Sequence, residues 1–338
     1  MTSSRRFARS GRLAALVLPC ALLGASTAAA GEPEGLGPEP SDPDPIIGGF
    51  PTAVDEFDAV VALRTDGGRL CSGTVVAPQL VLTAAHCFAD LREDTSITVH
   101  FGRDTSGMTM VSTDFAIHNQ YCDPCTEETY DFAYVVLPEV YVPTDGYIVP
   151  ITNQAEWNET MRVGNVVRLV GFGTDDPSGQ SLGTGPQPKR QVTTTIDRFT
   201  RLGFEFFAGG FNRDTCSGDS GGPAITQLGN GQLRLAGVTS RGQTPCGDGG
   251  WYGVPFAALV WVRGRSGVDL LPPGCFGGDC VDTSIFADDE GRCTVAAPGQ
   301  RWAPGWWLLM VPALRRRRSE DGRCRDERRT PAAANLSV

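Results

Sequence analysis

The chain is short of histidine, of long apolar runs, and of basic residues in its body. Only three histidines, His86, His100 and His118, occur in 338 residues, so imidazole chemistry is confined to three places. His100 and His118 have no partner motif around them and read as structural. One C-x-x-C pair, Cys122 and Cys125, stands without a second pair at zinc-ribbon spacing. A zinc or redox role is therefore the weaker reading, and a local disulfide the better one. No cofactor and no metal is expected, although calcium dependence stays open because no acidic loop has clear ligand spacing. Residues 31–300 carry 16 Lys and Arg against 35 Asp and Glu, a net of −19, where the whole chain has −10. An acidic body argues against nucleic acid as a partner. No apolar run approaches the roughly 20 residues that a membrane-spanning helix needs.

What is present divides the chain into four. In residues 1–30, Arg5, Arg6, Arg9 and Arg12 precede an apolar stretch, Leu13 to Leu23, and Ala28-Ala29-Ala30. This reads as a bacterial secretory signal peptide, and hence as export. Setting aside Cys20 within it, ten of the 11 cysteines remain, an even number as in disulfide-bonded exported proteins. Residues 31–45, GEPEGLGPEPSDPDP, hold too little apolar surface to fold and read as a propeptide or linker. Residues 46–264 alternate short apolar runs with Gly- and Asp-containing breaks, an all-β pattern. Strands are expected at 60–64, 70–76, 79–83, 96–101, 109–117, 132–137, 166–171, 191–197, 224–227, 232–238 and 250–255, and a short helix at 256–263. Residues 265–338 are a Cys- and Arg-containing extension with Cys275, Cys280, Cys293 and Cys324. Its apolar 303–314 stretch and Arg315–Arg318 admit three readings: a degenerate sorting or anchor tail at the cell surface, a disordered basic extension, or a small disulfide knot.

The chemistry centres on Cys216-Ser217-Gly218-Asp219-Ser220-Gly221-Gly222-Pro223. A serine between glycines suggests an exposed nucleophile on a tight turn. A hydroxyl is a weak nucleophile and needs a base, which in turn needs an orienting acid. Thr83-Ala84-Ala85-His86-Cys87 offers the base, and Asp131 at the head of Phe132-Ala133-Tyr134-Val135-Val136-Leu137 offers the acid. Asp123, Glu127 and Glu128 are alternatives that do not lead directly into the apolar run.

The order His86, Asp131, Ser220, with TAAHC and GDSGGP, resembles the chymotrypsin/trypsin family of serine endopeptidases. The resemblance implies two antiparallel six-stranded β-barrels, the active site in the cleft between them, and a short C-terminal helix. It implies an oxyanion hole from the backbone of Gly218 and Ser220, and disulfides Cys71–Cys87 and Cys216–Cys246. Asp214, six residues before Ser220, falls at the base of the primary pocket, with Ser240, Arg241, Gly242 and Gly250 in its walls. Cleavage after Arg or Lys is the implied preference; a chymotrypsin- or elastase-like preference is the alternative. Ile46-Ile47-Gly48-Gly49 resembles a mature N-terminus whose freed amine pairs with Asp219. Polypeptide substrates, an activating protease, protein inhibitors and a monomeric state follow from the family.

Two features depart from it. Pro45 stands where a basic residue is usual, and residues 31–45 contain no Lys or Arg. Processing is thus expected from another protease or an exopeptidase. Arg241 stands where an aromatic is usual, which suggests a preference for acidic or polar residues upstream in the substrate. Together they motivate a rival reading, a non-catalytic binding protein on a protease scaffold.

Overall fold

The computed structural model describes residues 46–283 apart from 175, 177, 180–184, 244 and 276–279. The leader, the 31–45 segment, Cys293, Cys324 and the 303–318 stretch lie outside the described residues. After β1 (Phe50–Pro51) come β2 (Val60–Thr65), β3 (Leu70–Ala77), β4 (Leu80–Thr83), β5 (Ile97–His100), β6 (Thr109–Ser112), β7 (Phe115–Ile117) and β8 (Ala133–Val136). The short helix α1 (Gln154–Thr160) leads to β9 (Val166–Gly171), β10 (Arg190–Phe199), β11 (Glu205–Ala208), β12 (Pro223–Gln227), β13 (Leu233–Gly242) and β14 (Gly250–Gly253). Helix α2 (Leu259–Ser266) follows and ends at Gly267, whose φ of +75° suits a left-handed cap.

One sheet runs β6-β5-β2-β3-β4-β8-β7, the other β1-β10-β11-β14-β13-β12-β9, and their ladders are antiparallel. β9 also pairs with β10, so six strands of the second sheet close into a barrel. The fold is the expected all-β pair with a short C-terminal helix, and its two halves differ in closure. The first sheet is curled, and among the described residues no ladder joins its end strands β6 and β7.

Burial follows residue chemistry. All eight residues of β3 and all four of β4 are buried, while β5 alternates, with Ile97 and Val99 inside. The run at 109–117, expected as one strand, is two. Ser112 Oγ donates to Val136 O (2.6 Å) and accepts from Asp114 N (3.0 Å), so a side chain takes over ladder bonds and the chain turns there. The chain beyond residue 264 continues into the body: Leu271, Cys275 and Val281 join the second core, and Cys275 is bonded to Cys280. The expected boundary at 264 therefore falls inside packed structure.

Candidate active site

His86 stands in a single 3-10 turn, Ala85–Cys87, directly after β4. The Cys71–Cys87 disulfide ties this turn to β3 across a separation of 16 residues. Closing a loop of that size in the unfolded chain is worth about 3 kcal/mol. Arg69 Nη1 adds a bond to His86 O (2.8 Å), and its Nη2 pairs with Asp90. The register Thr83↔Ala133 between β4 and β8 brings Asp131 alongside the turn.

The Asp131 carboxylate is buried and takes three donors. Oδ1 accepts His86 N (2.8 Å); Oδ2 faces His86 Nδ1 (2.7 Å) and accepts Ser240 Oγ (2.6 Å). An ionised carboxylate only accepts, so the imidazole proton sits on Nδ1 and Nε2 is left with its lone pair. Ser240, expected only as a pocket wall, also links the second sheet to this pair.

Ser220 reaches the same place from the second sheet. Gly221 has φ +78°, and a Cβ there would lie 2.0 Å from Thr83 Oγ1 and 2.6 Å from Ser72 O, so the turn tolerates only glycine. Ser220 O accepts Ser72 N (2.8 Å) and lies 3.7 Å from Sγ of Cys87, the residue after His86. Ser220 Oγ and His86 Nε2 are not hydrogen-bonded to each other. Among the described residues the N–H groups of Gly218 and Ser220 have no hydrogen-bond partner. Two unpaired backbone donors at a buried turn are unusual, and they suit a ligand oxygen.

Beside Ser220 opens a cavity of about 150 Å³ lined by Thr215, Cys216, Ser217, Ser240, Arg241 and Gly242, among others. The Cys216–Cys246 disulfide holds one edge. Asp214 and Gly250 are not among the cavity's lining residues; a Cβ on Gly250 would lie 3.0 Å from Arg241 O and 3.7 Å from Asp214 Oδ1. The Asp214 carboxylate is wholly buried: Oδ1 accepts Thr215 N (2.8 Å), and Oδ2 accepts Gly247 N (3.1 Å) and Gly249 N (2.9 Å). Burial raises its pKa above the ordinary aspartate value, against the pull of those three donors.

Arg241 is paired. Its Nη1 and Nη2 each lie 2.8 Å from an oxygen of Glu205, Nη2 also donates to Thr126 O (2.7 Å), and the guanidinium lies over Trp251. Glu205 thus already takes both guanidinium nitrogens, which leaves Arg241 less free to favour the acidic or polar upstream residues expected from the sequence. Glu205, which sequence reasoning passed over, also accepts Glu128 N, Thr129 N and Thr129 Oγ1. It thereby joins β13 to the loop before Asp131, which the Cys122–Cys125 disulfide also braces. Burial opposes its charge, but the hydrogen bonds from Arg241 and Thr129 outweigh burial and hold its pKa low. A depressed carboxylate stabilises the fold above its unfolded pKa and loses that contribution as pH falls through the folded value. Glu205→Gln is thus expected to cost roughly 2 kcal/mol at pH 7 and far less at pH 3, measured by urea denaturation at both.

Ile46 is fully buried in the second core, and Ile47 O accepts Asp214 N (3.2 Å). The Asp219 carboxylate is wholly buried; Oδ1 accepts Gly173 N (2.8 Å) and Oδ2 accepts Cys216 N (2.9 Å). It has no ion-pair partner among the described residues, and burial drives its pKa up to about 7.

A protein-family model described as Trypsin matches residues 46–259. Similar curated proteins include melanization protease 1 of Drosophila melanogaster, 28% identical over 65% of this chain and 65% of that protein. Venom plasminogen activator Haly-PA of Gloydius brevicauda is 26% identical over 64% of this chain and 86% of its own. Snake venom serine protease PA of Trimeresurus stejnegeri is 26% identical over 65% and 87%. The chain thus spans just under two thirds of the first of these and most of the other two.

Proposed function

The chain belongs to the trypsin family, and from that premise we propose that it is a secreted serine endopeptidase cleaving after Arg or Lys through an acyl-enzyme. The observation that carries the reading is the Asp131 carboxylate bound to His86 Nδ1, with Ser220 and two unpaired N–H groups beside it. In this mechanism His86 Nε2 takes the Ser220 proton as Oγ attacks the scissile carbonyl. Asp131 holds the tautomer and stabilises the imidazolium. The oxyanion forms between the N–H groups of Gly218 and Ser220, whose orientation is set before substrate arrives. His86 then gives its proton to the leaving amine, and water, activated by His86 in turn, hydrolyses the ester. The open edge of Ser240–Gly242 suits an extended peptide adding as a strand. An intact arrangement of base, acid and nucleophile is of no use to a binding module, which weighs against the non-catalytic alternative. Extracellular release follows from the leader and the paired cysteines, and protein inhibitors of the family are the expected partners.

Preference for Arg or Lys rests on Asp214, the acid six residues before Ser220. A long cation entering the pocket would meet a carboxylate that burial has made costly to ionise. Peptides differing only before the scissile bond, carrying Arg, Lys, Phe or Ala, test this. Arg and Lys substrates are expected to be cleaved at least 100-fold faster, and Asp214→Ser to erase that margin. One observation favours a second reading, chymotrypsin- or elastase-like preference. Asp214 is not among the residues lining the cavity and is already satisfied by three backbone donors. Faster cleavage after Phe or Ala would establish that reading.

A further inference from the structure

We propose that Ser72, a residue of the first sheet, is a positioning residue that latches Gly218, one of the two oxyanion-hole residues of the nucleophile turn. The inference rests on the serine-protease reading above. Ser72 is wholly buried on β3, next to the half-cystine Cys71 that holds the His86 turn. Its hydroxyl donates to Gly218 O (2.9 Å) and accepts from Phe172 N (3.0 Å). Its backbone N–H donates to Ser220 O (2.8 Å), and its own carbonyl accepts Thr83 Oγ1 (2.8 Å). One residue of the opposite sheet thus grips the carbonyls of both residues whose N–H groups are left for the oxyanion.

The hydroxyl matters because of where it acts. Gly218 has φ +98°, a region only glycine enters freely, so its own backbone resists rotation little, and the Gly218–Asp219 peptide is otherwise held at its N–H end alone, by Cys216 O (3.0 Å). Asp219 braces the turn at Cys216 N and reaches across to Gly173 N, but neither bond touches the Gly218 carbonyl. Ser72 Oγ holds the carbonyl end, and through Phe172 it joins the segment that Asp219 also holds. Without the hydroxyl, Gly218 O and Phe172 N both lose their partner in a dry site. The peptide can then recover a hydrogen bond only by turning. Turning at the Gly218 Cα shifts the Gly218 N–H relative to that of Ser220, the two donors that the transition state needs, while the cavity beside Ser220 is left as it was.

The test compares Ser72→Ala with the parent in full chain and in chain cleaved before Ile46. The substrate is the best peptide from the Arg, Lys, Phe and Ala series. Ser112→Ala serves as control: it also deletes a buried hydroxyl bonded to a carbonyl, in the same sheet but away from the turn. In Ser72→Ala kcat is expected to fall 10- to 100-fold with KM within about twofold, since one directly lost oxyanion donor costs 100- to 1000-fold. Affinity for a peptide aldehyde, whose hemiacetal oxygen occupies the hole, should fall by the same factor as kcat. Affinity for the matching peptide alcohol should not change. Ser112→Ala should lower the thermal midpoint without lowering kcat. Ser72→Cys, which keeps a weak donor, should recover part of the loss, and it provides the comparison should Ser72→Ala fold poorly. A kcat within threefold of the parent, or equal losses for aldehyde and alcohol, would overturn the proposal. A parent that neither cleaves any peptide nor reacts with a fluorophosphonate would remove the serine-protease reading, and the latch with it.

Discussion

Replacing Ser220 by Ala is expected to lower kcat roughly 10⁵- to 10⁶-fold while leaving KM within about threefold and unfolding free energy within about 0.5 kcal/mol. The size of the first effect follows from the division of labour in the cleft. In the proposed mechanism Asp131 and His86 act only through the Ser220 oxygen, so deleting that oxygen should silence all three, and His86→Ala added to it should cost little more. The oxyanion donors survive, which is why a residual rate above water is expected. The small stability effect is specific to this site. Ser220 Oγ has no hydrogen-bond partner among the described residues, so alanine leaves no buried group unpaired. Asp131→Asn should behave differently. It keeps the shape but offers His86 a different hydrogen-bonding face, and a loss near 10⁴-fold is expected from the wrong tautomer. Burst kinetics with an activated ester checks both, because the acyl-enzyme should accumulate only where Ser220 is present. More than 1% of parental kcat in Ser220→Ala would sink the nucleophile assignment.

What could be read in advance was what local sterics and strand register impose. The glycines around Ser220 are legible because a side chain at Gly221 would strike Thr83 and Ser72, so the motif has no freedom to drift. Asp131 is legible because it opens the apolar strand β8, which pairs with the strand leading to His86. The partners of Arg241 were not legible. Glu205 lies 36 residues away, inside a Phe-Glu-Phe-Phe-Ala run flanked by glycines, and a charged residue there argues against a buried strand. β11 forms nonetheless, because Arg241 and Thr129 satisfy the carboxylate from other parts of the chain. Ser72 was passed over for a related reason: a serine in a β-strand carries no signal until the opposite sheet brings Gly218 to it. Helix α1 did leave a mark, since Asn153 accepts Glu156 N in an N-cap three residues apart. At seven residues it is too short to show a helical period.

Chain that still carries residues 31–45 is expected to lose about 4 kcal/mol of stability as pH rises from 4 to 8, and cleavage before Ile46 should abolish that loss. The argument begins with the Asp219 carboxylate, wholly buried and held at a pKa of about 7 against an ordinary 3.8. A group whose folded pKa is raised favours the fold in its protonated form. Its contribution is full below about pH 4 and is lost as pH climbs through the folded value near 7. Roughly three pKa units at 1.36 kcal/mol each give the size, a factor of about a thousand in a two-state equilibrium. The two backbone donors on Asp219 have not offset the burial, so what the site wants is a cation. A freed amine at Ile46, the first residue of a segment whose second residue already pairs with Asp214, is the cation the family reading supplies. With the amine in place the carboxylate stays ionised across the range, and the pH dependence should flatten. Asp219→Asn separates cause from correlation. It should stabilise the uncleaved chain at pH 8 by a similar amount, yet leave the cleaved chain poorly active, because the amine then has nothing to pair with. Urea midpoints from pH 4 to 8 on both forms, with N-terminal sequencing to establish Ile46 as the first residue of the cleaved one, decide the matter. A pH profile identical in the two forms would mean that Asp219 finds its partner elsewhere. The proline before Ile46 would then mark a chain that does not depend on cleavage for its activity.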